Sequence, residues 1–211
     1  FPYHTPSYEI SQGQTLLETP EGPLPLQVFG RHNLSNLAGA KWICQQMGVD
    51  EADFYEAMAS FKGAAKRLER LSKIRDSYVF KDFAHSPSKV VATTRAVREQ
   101  FPDHRLVVCL ELHTYSSLNA GFLNEYKGSL DAADSALVFY VPESLAIKGL
   151  EAIHPEEVRT AFARPDMEVC TETRTLREFL YNLPMEKTVL LLMSSGNYGG
   201  LDLQEYCAQL K

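Results

Sequence analysis

Apolar positions along this chain fall into two regimes. Up to about residue 30 they come in short stretches broken by turn formers. Tyr8-Glu9-Ile10-Ser11 and Thr15-Leu16-Leu17-Glu18 flank Gln12-Gly13-Gln14, and Leu24 to Phe29 follows Pro20-Glu21-Gly22-Pro23. Such runs predict short strands joined by Gly/Pro turns. They cover little of one another, so the reading expects them to be the end of a larger sheet whose earlier strands are missing here. Two helices come next. Leu34, Leu37, Ala38, Trp42 and Cys44 mostly share one face over about 34–47, and Gly48 stops the helix. Asp50 is the expected cap of a second helix, in which Phe54, Tyr55, Met58 and Ala59 recur at helical spacing. The Trp and Met in these helices read as core residues.

From Tyr78 the rhythm becomes strand, helix, strand, helix. Strands are expected near 78–83, 105–112, 135–141, 167–171 and 188–194. Helices are expected near 88–100, 120–132, 155–163, 176–182 and 202–210. The strands are continuous apolar runs rather than alternating ones, the mark of strands buried on both faces. The prediction is an α/β fold with a mostly parallel sheet covered by helices on each side. Such sheets bind ligands at the carboxyl ends of their strands.

Composition narrows the function classes. The 211 residues are 45% apolar and 23% charged, which is ordinary for a globular protein. A chain of this length buries a sizeable core without disulfides or a structural metal. The net charge of −6 does not suggest a nucleic-acid binder. Cys44, Cys109, Cys170 and Cys207 are far apart, with no CxxC and no zinc spacing, and read as reduced thiols in a cytoplasmic protein. No apolar run approaches the roughly 20 residues that span a bilayer. No basic-then-apolar leader opens the chain, so no secretory signal or membrane partner is expected.

The strand ends are therefore the places to look for chemistry. The first ends in Lys81-Asp82-Phe83-Ala84-His85-Ser86-Pro87, where Ser86 is a candidate cap and Pro87 suits the first helical turn. On the bland reading, Asp82 and Ser86 merely organise that turn. The second strand ends in the polar cluster Glu111-Leu112-His113-Thr114-Tyr115-Ser116-Ser117. The last ends in Met193-Ser194-Ser195-Gly196-Asn197-Tyr198-Gly199-Gly200, whose glycines suggest an anion-binding nest. Neither GxxxxGK[ST] nor a GxGxxG following a strand occurs. Asn33 and Asn36 sit three apart at a helix start, and an amide pair suits an adenine edge, although capping by Asn33 is the plainer role. The basic stretch from Lys62 to Arg70 reads as a solvated linker or a phosphate contact.

Taken in order, Gly30-Arg31-His32-Asn33-Leu34-Ser35-Asn36, Phe61-Lys62-Gly63 through Arg67-Leu68-Glu69, Asp82-Phe83-Ala84-His85-Ser86-Pro87 and His113-Thr114-Tyr115-Ser116 resemble the C-terminal part of a Mur ligase. That family forms amide bonds with ATP, attaching amino acids or peptides to UDP-N-acetylmuramate. The resemblance implies that residues 1–63 are the tail of a central α/β ATPase domain and that 64–211 are a Rossmann-like C-terminal domain. It further implies that the UDP-binding domain, the phosphate loop and the main Mg2+ ligands lie outside this chain.

Residue roles follow from the same resemblance. Asn33 and Asn36 match the adenine pocket, Arg67 the hinge arginine that reaches ATP, and Asp82 the aspartate at the ribose. Ser194, Ser195 and Asn197 lie on the loop that faces the acceptor. No catalytic residue and no metal ligand is expected in this stretch. His113-Thr114-Tyr115-Ser116 is similar to the alanine-adding branch, but Ser117 stands where that branch usually has an arginine. The 193–200 loop is more similar to the recycling branch, whose acceptor is the murein peptide L-Ala-γ-D-Glu-meso-diaminopimelate. The implied chemistry is an acyl phosphate on the UDP-N-acetylmuramate carboxylate, then attack by the acceptor amine. The competing class is a non-catalytic nucleotide- or peptide-binding module on the same fold. This stretch alone is expected to be inactive as a ligase.

Overall fold

A computed structural model describes residues 2–210. The first part holds β1 (Tyr8–Ser11), β2 (Gln14–Thr19) and β3 (Gly22–Leu26), an antiparallel meander, followed by helices α1 (Arg31–Gln46) and α2 (Glu51–Ser60). Leu17, Leu26, Leu34, Leu37 and Phe54 form its small core. Among the described residues these strands make a three-stranded sheet of their own, separate from the six-stranded one. Helix α1 starts three residues earlier than its apolar pattern does. Asp50 precedes α2 but its side chain makes no capping bond.

The second part alternates as expected, with one strand more than the pattern predicts. Its elements are β4 (Glu69–Ile74), β5 (Ser77–Asp82), α3 (Pro87–Gln100), β6 (Arg105–Glu111), α4 (Ala120–Leu123), β7 (Ser135–Phe139), α5 (Pro142–Ile147), α6 (Pro155–Phe162), β8 (Glu168–Cys170), α7 (Thr173–Tyr181), β9 (Thr188–Met193) and α8 (Leu203–Gln209). The sheet order is β4-β5-β9-β6-β7-β8. Only β4 runs antiparallel, paired with β5 across the Arg75-Asp76 turn. The basic stretch thus ends in an edge strand, not a linker. Its charges hid the strand, because an edge strand exposes one face to water.

The parallel strands divide their residues between two cores with period two. Leu106, Val108 and Leu110 of β6, with Val189 and Leu191 of β9, pack under α3 and α6. Val107, Cys109, Leu190 and Leu192 face Leu176 and Leu180 of α7 and Tyr206 of α8. Both faces are covered, so neither strand shows polar alternation. The helix expected over 120–132 shrinks to α4 and one 3₁₀ turn at Asn124–Tyr126. Gly128 follows with φ +71, a conformation that leaves the helix. Helix α5, broken off after one and a half turns at Gly149, was too short for its periodicity to show.

Three hydrogen bonds tie the parts together at the end of α3. Thr15 Oγ1 donates to Gln100 Oε1 at 2.9 Å, Gln100 Nε2 donates to the Gly13 carbonyl at 2.6 Å, and the Tyr8 hydroxyl donates to Glu99 at 2.8 Å. At the other end of the contact, Gly30 precedes α1 with φ +88, and a Cβ there would fall 2.7 Å from the Ala96 Cβ of α3. Gly30→Ala should therefore destabilise the chain by about 1–3 kcal/mol, through left-handed backbone and overpacking together. Urea unfolding measures it, and a double-mutant cycle that also measures Ala96→Gly by itself should isolate the steric share as the coupling between the two.

Candidate functional site

The turn after β5 and the segment between the two parts are built around Asp82. Its side chain is only 4% exposed. Oδ2 accepts from the Leu68 N–H at 2.8 Å, and Oδ1 accepts from the Ala84 N–H at 2.7 Å and the Thr93 hydroxyl at 3.4 Å. Bonds to a charged acceptor are strong enough to hold strained backbone. Lys66 and Leu68 lie at φ +59 and +45, so the connecting segment is kept in a left-handed course. The Phe83 N–H donates to the Lys66 carbonyl at 2.9 Å and closes the same knot. The organising role is real, and it is carried by the carboxylate. Ser86 sits at the start of α3 without a side-chain cap bond, while Pro87 takes the first turn as expected.

This knot floors a cavity of about 670 Å3 between α1 and α2 on one side and α3 on the other. Asn33, Asn36, Arg67 and Asp82 all line it. Asn33 does not cap α1: its Nδ2 donates back to the Phe29 carbonyl at 2.9 Å. Asn36 lines the cavity, and its side chain makes no hydrogen bond among the described residues. The Arg67 guanidinium lies 5.8 Å over the Phe83 ring and, among the described residues, has no carboxylate within ion-pair distance. Leu37, Met58 and Phe61 supply an apolar wall. The cavity thus combines a greasy slab, an unused amide and a cation, the requirements of a heteroaromatic ring carrying an anionic group.

His32, Thr93 and Lys89 also line this cavity and were not singled out in the sequence. Helical spacing in α3 was the available signal for Lys89 and Thr93, which follow the Pro87 start at positions that face back across the turn. Burial lowers the His32 pKa below its usual value. The nearby Asp82 carboxylate raises it, and Arg67 adds to the lowering.

The second cluster lies farther along the same edge of the sheet, at the ends of β9 and β6. Ser194 N–H donates to the Asp82 carbonyl at 3.0 Å, which sets the two clusters side by side. Ser194 is buried, and its hydroxyl donates to Glu111 Oε2 while accepting from the Gly196 N–H at 2.7 Å. The Tyr198 N–H donates to the same Glu111 oxygen at 2.9 Å. Asn197 accepts from the Gly200 N–H at 3.3 Å. The anion nest expected here is therefore not present as such. The N–H groups of Gly196, Tyr198 and Gly200 are spent on protein oxygens, one of them a buried carboxylate that repels anions. Glu111 is the residue that decides this, and its signal was a single charge closing an otherwise apolar strand.

Among the described residues no cluster of three or more His, Cys, Asp or Glu side chains is arranged to hold a metal ion. Among them, too, no helix is long and apolar enough to cross a membrane.

No protein-family model matches the chain. The UDP-N-acetylmuramate–L-alanine ligase of Roseiflexus castenholzii is 30% identical over 181 residues, 84% of this chain and 37% of that protein. The chain is a relative of the Mur ligases. It spans little more than a third of that relative's length. The crystal structure of the UDP-N-acetylmuramate–alanine ligase from Thermotoga maritima matches with a TM-score of 0.71 at 19% identity, over 92% of this chain and 42% of that one. A murein peptide ligase from Psychrobacter arcticus matches with a TM-score of 0.59 at 22% identity, over 97% and 44%. Folylpolyglutamate synthase of Mycobacterium tuberculosis, solved with ADP and AMPPCP, matches with a TM-score of 0.56 at 19% identity, over 90% and 44%. At these identities the three structures establish the α/β fold of the Mur ligase C-terminal region.

His32 gives this site a pH signature. A pKa below that of the unfolded chain means the folded state disfavours the protonated ring. The stability held above about pH 6.5 is lost as pH falls through that value toward the folded pKa. Urea midpoints taken between pH 7.5 and 5 should fall more steeply for the wild type than for His32→Gln.

Proposed function

We propose that this chain is the C-terminal part of a cytoplasmic, ATP-dependent amide-forming ligase that acts on UDP-N-acetylmuramate. The observation that carries the reading is the convergence of Asn33, Asn36, Arg67 and Asp82 on one cavity from three separate stretches of sequence. In it, the purine lies against Leu37, Met58 and Phe61, with its edge read by Asn36 and Asn33. Arg67 meets the phosphates as negative charge gathers during phosphoryl transfer. Asp82 faces the ribose while its three internal bonds hold the connecting segment in place. Closure of the second part over the bound nucleotide excludes water, which would otherwise hydrolyse an acyl phosphate. Magnesium, on this reading, is held by residues outside this chain, and no step is assigned to it here.

For the acceptor we propose the murein peptide L-Ala-γ-D-Glu-meso-diaminopimelate. The support is the 193–200 loop, together with Ser117. That residue is buried and its hydroxyl is bonded to Thr114, so the arginine of the alanine-adding branch has no counterpart here. L-Alanine is the second reading, favoured by the name of the Roseiflexus relative.

The full-length enzyme, incubated with ATP, UDP-N-acetylmuramate and either acceptor, should release phosphate faster with the tripeptide. A faster reaction with L-alanine would install the second reading, and no amide product with either would leave a binding module. The 211-residue chain alone should form no amide bond. In calorimetry on that chain, Arg67→Ala should weaken ATP binding about ten- to a hundredfold, the worth of hydrogen bonds to a charged group. Equal affinity for the two proteins would remove Arg67 from the nucleotide.

A further inference from the structure

We propose that a second cavity, between β4 and the turn joining β1 to β2, binds the phosphoryl group of a small molecule through Arg70, Lys73 and Lys62. The inference stands apart from the ligase reading, because none of these three side chains lines the cavity floored by Asp82.

The sheet register puts two of the cations on one face. Glu69 pairs with Lys81 and Arg70 with Phe80, but the next pairs are Ser72 with Val79 and Lys73 with Tyr78. Leu71 is the extra residue of a bulge, and it packs into the core on the α7 side. In a regular strand, residues three apart point to opposite faces. The bulge cancels that alternation and sets Arg70 and Lys73 on the face of Phe80 and Tyr78, the usual way in which a bulge re-aims a side chain. The Lys73 ammonium lies 5.4 Å over the Tyr78 ring.

That face opens on a cavity of about 640 Å3. Lys62, Arg70 and Lys73 line it with one carboxylate, Glu69, whose Oε2 is taken by the Lys66 N–H at 2.8 Å. Among the described residues none of the three cations has a carboxylate within ion-pair distance. Like charges gathered in one concavity repel one another and focus positive potential where an anion enters, here in a chain whose net charge is −6. A guanidinium offers paired N–H donors that match two phosphoryl oxygens, and an ammonium adds charge without demanding an angle. A phosphoryl dianion answers three cations better than a singly charged carboxylate does. Residues 12–14 also line the cavity, so the site draws on both parts of the chain. Gly63 and Ala64 line this cavity and the one floored by Asp82, so an occupant here shares a wall with the segment that leads to Arg67.

A bulge and lysines also guard an edge strand against pairing with another chain, and a role confined to that predicts no affinity for a phosphoryl probe. The probe is inorganic pyrophosphate, titrated without magnesium into the 211-residue chain and followed by calorimetry and ¹H–¹⁵N spectra. It should bind one to one and shift the backbone amides of Arg70 and Lys73. Arg70→Ala should weaken binding at least tenfold and Lys73→Ala at least threefold, with Arg70→Lys restoring part of the loss. Both side chains are exposed, so these variants keep the fold. Lys127→Ala, which removes an exposed cation outside the cavity, should leave the affinity unchanged. No binding of pyrophosphate, equal affinity in wild type and both alanine variants, or citrate bound as tightly as pyrophosphate would overturn the proposal. Loss of affinity in Arg67→Ala with none in Arg70→Ala would overturn it too, by moving the ion to the cavity floored by Asp82. A parallel titration with ATP separates the sources of the phosphoryl group. Shifts at Arg70 and Lys73 as well as at the Asn36 side-chain amide assign the site to nucleotide phosphates, and shifts at Asn36 alone assign it to other phosphoryl compounds.

Discussion

The carboxylate of Asp82 is the point on which the arrangement turns. It ends a central strand, faces away from water, and satisfies N–H groups on both sides of itself in the chain: Ala84 two residues ahead and Leu68 fourteen behind. A buried charge tolerates loss of its donors poorly, so these bonds resist breaking one at a time. The consequence is that the connecting segment, left-handed at two non-glycine residues, is fixed against the end of the sheet. Arg67, between those two residues, is delivered to the cavity by this constraint and not by any property of its own side chain.

A second buried carboxylate, Glu111, does for the adjoining loop what Asp82 does for the connecting segment. Each closes a parallel strand: Asp82 gathers the N–H groups of Leu68 and Ala84, and Glu111 the Tyr198 N–H and the Ser194 hydroxyl. Parallel strands all present their carboxyl ends on one side, so both acids fall on the same edge. They differ in completion. Asp82 has donors on both oxygens, whereas Glu111 has them on one.

Much of the architecture was legible in the chain because burial on both faces leaves an unmistakable trace. Runs such as Val107-Val108-Cys109-Leu110 and Leu190-Leu191-Leu192 are strands whichever core each residue joins. Strand β4 was not legible, since an edge strand with Arg70 and Lys73 on its open face has the composition of a linker. The helix over 120–132 was overread because an apolar residue every three or four positions also suits compact turns, and a glycine at positive φ decides between them. At the candidate site, Asn33, Asn36, Arg67 and Asp82 were found through their motifs. His32, Lys89 and Thr93 were not, because helical spacing tells which residues share a face but not whether that face meets a cavity or water.

The sequence by itself determined the class of fold, the direction of the sheet and the stretches that end in polar residues. These depend on short-range periodicity and on which side chains tolerate water, and both are written residue by residue. Only the tertiary structure decided which polar groups are already spent. The 193–200 loop has the composition of an anion nest, but a glutamate more than eighty residues earlier in the chain took up the Tyr198 N–H and the Ser194 hydroxyl, while Ser194 and Asn197 took the N–H groups of Gly196 and Gly200. A hydrogen-bond donor is available to a ligand only if no nearer acceptor has claimed it, and that competition is settled in space.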